Sequence, residues 1–143
     1  MTVADTSFLY SLYGDDTHSP KAIAWTRKQT QPITITALTE FELSNAFRFA
    51  AFRSLLPTRL AANYWQHFKE DREAGRIKVH QANLAKIISI ATRLSEQHTS
   101  RRGHRSFDIL HVAGALEIGA AGFLSFDRNQ RKLAESEGLV SPI

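Results

Sequence analysis

Four acidic residues lie where a strand-like segment of the sequence gives way to a helix-like one: Asp5, Glu42, Asp108 and Asp127. Carboxylates packed together repel one another, and their pKa values rise unless a cation lies between them. Oxygen ligands alone favour Mg²⁺ or Mn²⁺, which commonly keep several waters and bind carboxylates together with substrate phosphates. If the four acids converge, the sequence predicts a divalent-metal site that can activate water for attack on a phosphodiester.

Composition limits the kind of protein that can carry such a site. The chain has 143 residues, of which 43% are hydrophobic, so we expect one domain spanning residues 1–143. It has no cysteine, which excludes disulfides, thiolate-bound zinc and iron–sulfur clusters and leaves oxygen or imidazole as metal ligands. The first residues lack a basic segment, and no apolar run approaches about 18 residues. We therefore expect a cytoplasmic protein with no membrane contact.

The chain is basic outside its candidate acids. Its formal net charge is +4 and its pI is near 9.7, a balance that suits an acidic metal site acting on nucleic acid. Basic side chains flank two of the acids, and their guanidinium groups suit phosphate oxygens. For each of them a solvated surface position is the alternative, and for His104 a plain surface histidine. The candidates for nucleic-acid contact are Arg101, Arg102, His104, Arg105 and Arg128.

The elements that must position these side chains alternate between strands and helices. Short strands are predicted around residues 3–4, 33–36, 76–80 and 123–126, with helices between them, a polar loop at residues 98–105 and a further strand at residues 139–143. This alternation predicts a parallel sheet covered on both faces, whose functional crevice lies at the carboxyl ends of the strands. Asp5 and Asp127 fall at predicted strand ends, Glu42 follows the second strand by a few residues, and Asp108 opens a helix.

Each candidate has an alternative interpretation. Asp5, Asp108 and Asp127 stand where helix N-caps are common. Glu40 and Glu42 point about 200° apart on a helix, so only one of them can face the site. His111 lies one turn after Asp108 on a mostly apolar helix, and we expect it to be packed and hydrogen-bonded in the core.

Four segments together resemble a family. VADTSFL, LTEFEL, SFDILHVAGAL and GAAGFLSFDRNQRKLAESEGL occur in this order between Asp5 and Leu139. They resemble the PIN-domain ribonucleases, and most closely the VapC-type toxins of toxin–antitoxin pairs. The resemblance implies a three-layer α/β/α sandwich with a central mainly parallel sheet, and Mg²⁺- or Mn²⁺-dependent cleavage of RNA. It also implies a cognate antitoxin and a homodimer.

The resemblance assigns roles to individual residues. Asp5 matches the aspartate of the first strand, Glu42 the glutamate of the "EL" signature, Asp108 the aspartate of the "D-x-x-H-x-A" helix and Asp127 the acid of the last strand. By this resemblance, Asp5 and Asp108 are the strongest candidates for metal ligands. For Glu42 and Asp127 it leaves three roles open: binding metal directly, binding it through water, or acting on the attacking water. The supporting polar residues are Thr6, Ser7 and Ser125.

A second hypothesis belongs to a different functional class. A PIN-like module that binds RNA or a protein partner without cleaving anything would retain the same acids. The aromatic-rich segment Phe41–Phe52 and the apolar helix Leu84–Leu94 are predicted mainly as core, although the family implies that part of them lines a dimer or antitoxin surface.

Overall fold

A sheet of four short parallel strands forms the centre of the protein, in a computed structural model that describes residues 1–143. The strands are β1 (Thr2–Ala4), β2 (Ile33–Thr36), β3 (Ile77–His80) and β4 (Gly122–Leu124), in the order β3-β2-β1-β4. In this register Val3 lies opposite both Thr34 and Phe123. Because β1 is central and all strands are parallel, their carboxyl ends meet at one edge.

Helices fill the connections between the strands. They are α1 (Thr6–Tyr13), α2 (Ser19–Thr26), α3 (Ala37–Phe52), α4 (Thr58–Glu73), α5 (Leu84–Leu94), α6 (Ser100–Arg102), α7 (Ser106–Glu117) and α8 (Arg128–Ser136). Asp5, Asn83 and Asp127 each accept a hydrogen bond from a backbone N–H of the first turn of α1, α5 and α8, respectively. These side chains satisfy N–H groups that have no partner within the helix, which explains where the three helices begin.

The helices form a layer on each face of the sheet. Successive strand residues point to opposite faces, so Val3 and Phe123 pack under α5, α7 and α8, whereas Ala4 and Leu124 pack under α1 to α4. One core cluster contains Phe8, Leu43, Phe47 and Phe68, and the other contains Ile87, Leu94, Val112 and Leu133. The predicted three-layer α/β/α sandwich is confirmed.

The segment before α7 differs from the sequence-based prediction. Residues 98–105 are predicted as a loop, but α5 continues into a π-helical segment, Ser95–Thr99, and then into α6. No proline or glycine lies between Leu84, where α5 begins, and Gly103. Gly103 has a φ of +67°, in the left-handed region, and ends the helix. Only residues 103–105 remain as a loop, so Arg101 and Arg102 are helical. The predicted terminal strand is reduced to a single bridge between Gly122 and Val140.

The prediction that Phe41–Phe52 is mainly core is wrong for most of its aromatic residues. Phe47 is buried, but Phe41, Phe49 and Phe52 are exposed, Phe52 by 81%. Leu84 and Ile88 on α5 are exposed as well. No helix of this protein combines the length and apolar character that crossing a membrane requires.

Candidate active site

The four predicted acids line one cavity of about 440 Å³ at the carboxyl edge of the sheet. Asp5 directly follows β1, and Asp127 lies three residues after β4, the neighbouring parallel strand. Glu42 belongs to α3, which begins directly after β2, and Asp108 lies in the first turn of α7. Acids from four distant segments of the chain therefore converge, as the strand-end pattern predicts.

Asp5 is the most deeply placed of the four, with 2% of its surface exposed. Its carboxylate accepts hydrogen bonds from the Phe8 backbone N–H at 2.9 Å and from the Ser125 hydroxyl at 2.7 Å, while the Ser7 hydroxyl lies within 2.9 Å of both of its oxygens. Burial raises the pKa of Asp5 to about 6, although these hydrogen bonds and the nearby His111 lower it. Asp5 thus caps α1 and also presents a buried charge that a cation would stabilise.

Ser7 and Ser125 join the carboxyl ends of the neighbouring strands β1 and β4. Their hydroxyl oxygens are 3.2 Å apart, the Ser7 hydroxyl accepts from the Phe126 backbone N–H at 2.8 Å, and the Ser125 hydroxyl accepts from the Asp127 backbone N–H at 3.0 Å. The loop after β4 is therefore fixed to the first turn of α1. Since Asp5 and Asp127 lie on the two sides of this contact, it sets the spacing between them.

Glu42 is held by two side chains. His111 Nε2 lies 2.6 Å from Glu42 Oε2, and the Thr6 hydroxyl donates to the same oxygen. Because an ionised carboxylate only accepts, Nε2 carries a proton toward Glu42, and Nδ1 lies 3.3 Å from the Thr39 hydroxyl. Burial alone would raise the pKa of Glu42, but the hydrogen bonds from His111 and Thr6 outweigh it and the pKa is lowered.

The structure distinguishes the two neighbouring glutamates of α3. Glu40 forms an ion pair with Arg72 of α4, away from the cavity, whereas Glu42 lines it. His111 is packed as predicted, with 3% of its surface exposed. Its contact with Glu42 was not anticipated, and the spacing of His111 one helical turn after Asp108 is the only sequence signal that points toward it.

Asp108 and Asp127 share a basic partner. Arg105 Nε donates to Asp108 Oδ2 at 3.0 Å, and Arg105 Nη2 lies 3.8 Å from Asp127 Oδ2. The Arg105 side chain is 79% exposed, so little packing holds it in place. Gln130 also connects the two acidic residues. Its backbone N–H donates to Asp127 Oδ1, and its side-chain amide donates to the backbone carbonyl oxygen of Asp108.

The donor set fits a hard divalent cation. All four acids present oxygen atoms to one cavity, a buried carboxylate lies among them, and a guanidinium cation already bridges two of them. The side chains as they stand are not drawn together into a group of three or more ligands. The carboxylates are instead engaged by hydroxyl groups, by His111 and by Arg105.

The basic candidates occupy different environments. Arg105 lines the cavity, whereas Arg101, Arg102 and Arg128 are exposed outside it. The expectation that His104 lies at the surface is wrong: its ring is 7% exposed, and neither nitrogen has a hydrogen-bond partner. His104 turns inward because Gly103 reverses the chain beside His98, whose ring centroid is 6.5 Å away.

Four further residues of the cavity wall were not predicted from the sequence. Tyr10, Asp16, His18 and Phe126 line the cavity together with the acids. Phe126 precedes Asp127 directly, and this adjacency was an available signal. Asp16 and His18 lie in a segment that reads only as a turn.

The family model of the PIN domain matches residues 2–136 of this chain. The fold is similar to that of Mycobacterium tuberculosis VapC20, described as a toxin that cleaves the sarcin-ricin loop, with a TM-score of 0.71 and 16% identity over 98% of this chain and 97% of that one. VapBC-1 of nontypeable Haemophilus influenzae gives a TM-score of 0.67 with 15% identity over 98% and 95% of the two chains.

FitAcB of Neisseria gonorrhoeae gives a TM-score of 0.61 with 17% identity over 99% of this chain and 95% of that one. No curated protein sequence matches. At these identities the solved structures establish the fold alone, whereas the family model spans nearly the whole sequence, including all four acids. The chain belongs to the PIN-domain family.

Proposed function

We propose that this protein is a metal-dependent endoribonuclease and the toxin of a toxin–antitoxin pair. The observation that carries the proposal is the convergence of Asp5, Glu42, Asp108 and Asp127 on one cavity in a chain whose net charge is positive. A basic protein with one acidic centre attracts a polyanion over its surface, but the centre itself repels phosphate until a cation neutralises it.

Mg²⁺ or Mn²⁺ is the proposed cofactor, held by Asp5 and Asp108, with Glu42 and Asp127 binding it directly or through water. Such an ion polarises a phosphoryl oxygen and lowers the pKa of a bound water. The protein contributes the orientation of its ligands: Ser7, Ser125 and the Phe8 N–H fix the carboxylate of Asp5. Thr6 supports Glu42 in the same way.

Glu42 has one carboxylate oxygen free to accept a proton from an attacking water. His111 and Thr6 both engage Oε2, and Oε1 makes no hydrogen bond to the protein. Because His111 keeps the pKa of Glu42 low, the carboxylate is ionised at neutral pH. His111 therefore acts as a positioning residue through Glu42.

The RNA backbone requires basic partners around this centre. Arg105 at the cavity, and the exposed Arg101, Arg102 and Arg128 outside it, supply guanidinium groups for phosphates. The similarity to VapC20, which is described as an RNA-loop-cleaving toxin, supports RNA as the substrate. The motifs shared with VapC-type toxins support a cognate antitoxin, and the exposed Phe41, Phe49 and Phe52 provide an apolar surface for the proposed homodimer.

The test compares pure wild-type protein with Asp5→Asn and Asp108→Asn on single-stranded RNA, with Mn²⁺ or with EDTA. Asp15→Asn, at an exposed aspartate, is the matched control. We expect cleavage by the wild type and the control only with metal, and at least a 100-fold loss in both site variants. Equal cleavage by all four proteins would refute the assignment of the site. RNA binding without cleavage would favour a non-catalytic PIN-like module.

The biological role has its own test. Expression of the wild type should arrest growth, Asp5→Asn should not, and a small protein encoded beside the gene should restore growth. Growth that is unaffected by soluble active enzyme would contradict the toxin role while leaving the ribonuclease activity in place.

A further inference from the structure

The cavity that holds the four acids has a second, aromatic part. Tyr10, Asp16, His18 and Phe126 line it, and we call this part the aromatic wing. It is directly connected to the acidic part, because Phe126 and Asp127 are adjacent in the chain. The proposed metal chemistry uses none of these four side chains.

Three stacked rings form one wall of the aromatic wing. The His18 ring lies 4.4 Å from the Phe126 ring at an interplanar angle of 7°, and Phe126 lies 5.8 Å from Phe8 at 19°. Phe8 is fully buried and Phe126 is partly buried, whereas His18 is exposed. The stack therefore runs outward from the core and ends in an aromatic ring at the surface.

The backbone around the stack is fixed on both sides. The Phe126 N–H donates to the Ser7 hydroxyl at 2.8 Å, and the His18 N–H donates to Asp16 Oδ1 at 2.8 Å. The Ser11 hydroxyl holds the other oxygen of Asp16 at 2.8 Å. The backbone of both stacked residues is thus held in place before any ligand arrives, which lowers the entropic cost of stacking a further ring on His18.

The charge of the aromatic wing excludes a phosphate as its occupant. Arg105 is the only arginine or lysine that lines the cavity, and it lies at the acidic part, paired with Asp108 and Asp127. In the aromatic wing a carboxylate, Asp16, faces any ligand instead. A carboxylate offers about four acceptor positions, so Asp16 retains capacity for the N–H groups of a ligand.

Tyr10 adds a neutral hydroxyl to this wall. Burial and the charge of Asp16 raise the pKa of the Tyr10 phenol, so it stays protonated at neutral pH. A flat aromatic surface, a hydroxyl and an N–H acceptor together match a nucleobase, which offers a stacking face and a hydrogen-bonding edge.

We propose that the aromatic wing binds the nucleobase of a nucleotide next to the cleaved bond, stacked on the outer face of His18 with its edge toward Asp16 and Tyr10. This inference rests on the proposed cleavage of RNA and adds the residues that contact the substrate beside the metal site. It makes His18 a determinant of which bond is cut, separate from the acids that cut it.

The test uses His18→Ala, His18→Phe and the control His67→Ala, which removes an exposed histidine of α4 that lies outside the cavity. Fluorescence anisotropy measures the binding of a labelled single-stranded RNA with Mn²⁺, with Asp108→Asn added to each protein so that the RNA is not cleaved. Sequencing the products of a random RNA pool cleaved with Mn²⁺ gives the base preference at each position around the cut. Thermal unfolding confirms that the variants are folded.

We expect His18→Ala to weaken RNA binding by about 10-fold, within the range that loss of one stacked base produces, and His18→Phe to restore it. Base preference next to the cut should fall in His18→Ala and stay in His67→Ala. An RNA that has an abasic nucleotide next to the cut should bind equally to the wild type and to His18→Ala, because it has no base to stack on His18.

Two results would overturn the subsite. One is RNA affinity and base preference that are unchanged in His18→Ala. The other is a loss of RNA affinity in His18→Ala that His18→Phe does not restore. Phenylalanine keeps a stacking ring, so this result would mean that stacking is not the cause of the loss. Wild-type protein that binds RNA and loses binding in His18→Ala, yet never cleaves, would preserve the subsite and refute the ribonuclease, so the two failures are distinguishable.

Discussion

Replacing Asp5 with asparagine should stabilise the protein while it abolishes cleavage. Asp5 is 2% exposed, and burial raises the pKa of its carboxyl from 3.8 to about 6. At neutral pH the folded protein therefore holds an ionised carboxylate that burial disfavours. Asparagine is uncharged at every pH, keeps one acceptor oxygen for the Phe8 N–H, and offers its amide as a donor to the Ser125 hydroxyl.

The sign and size of the effect follow from this pKa. Between about pH 4 and pH 6 the folded state keeps a proton that the unfolded chain has already released, so the stability of the wild type falls as the pH rises through this interval. The full change corresponds to about 3 kcal/mol, since each pKa unit is worth about 1.4 kcal/mol. Imperfect hydrogen bonding by asparagine reduces this gain in the free energy of unfolding by about 1 kcal/mol.

Urea denaturation in EDTA at a series of pH values from 4 to 8 measures the difference, with Asp15→Asn as the control at an exposed position. We expect Asp5→Asn to exceed the wild type by about 2 kcal/mol at pH 7.5 and to show no advantage near pH 4. Mn²⁺ should then stabilise the wild type and not the variant. A variant that is less stable at every pH, or a difference that does not change with pH, would refute the reasoning.

Three other outcomes follow from the contacts around the site. Glu42→Gln should lower cleavage by about 100-fold or more, whereas Glu40→Gln should leave it unchanged in the same assay, because only Glu42 faces the cavity. Arg105→Gln should strengthen Mn²⁺ binding by less than about fivefold in calorimetry, because the exposed guanidinium competes with a metal for the acids. The same variant should weaken RNA binding. Weaker Mn²⁺ binding would contradict this reasoning. His104→Leu should raise the free energy of unfolding by about 1 kcal/mol in urea, because both buried ring nitrogens lack partners; a loss of stability would show that the ring is hydrogen-bonded in solution.

The sheet and the convergence of the acids were predictable because strand ends leave a local signal. A short apolar run that ends at Asp5, and another that ends just before Asp127, are visible in the sequence, and parallel strands place such ends at one edge. The choice of Glu42 over Glu40 also followed from helical geometry together with the family motif. The sheet and the shared edge needed only neighbouring residues and one general rule of topology, whereas the choice of Glu42 also needed the family resemblance.

The parts that were missed depend on contacts between distant segments. Residues 98–102 contain polar and charged side chains typical of a loop, but they continue α5, which is anchored in the core by Ile87 and Leu94. His104, in the short loop that follows, is buried beside His98. The aromatic wing joins His18 with Phe126, and no periodicity within either segment indicates that pairing. The exposed phenylalanines of α3 likewise follow a helical pattern, and such a pattern is the same for residues buried in the core and for residues on an exposed apolar face.

The hydroxyl contact between Ser7 and Ser125 joins two segments that lie 118 residues apart in the chain. Asp5 receives a hydrogen bond from Ser125, and β1 completes its pairing only when β4 joins it. A ribosome-bound chain that has not yet emerged beyond residue 120 therefore lacks Asp127, one of the four acids, and Ser125, whose hydroxyl donates to Asp5. If the proposed ribonuclease activity needs all four acids, it arises only after β4 has been synthesised and has paired with β1.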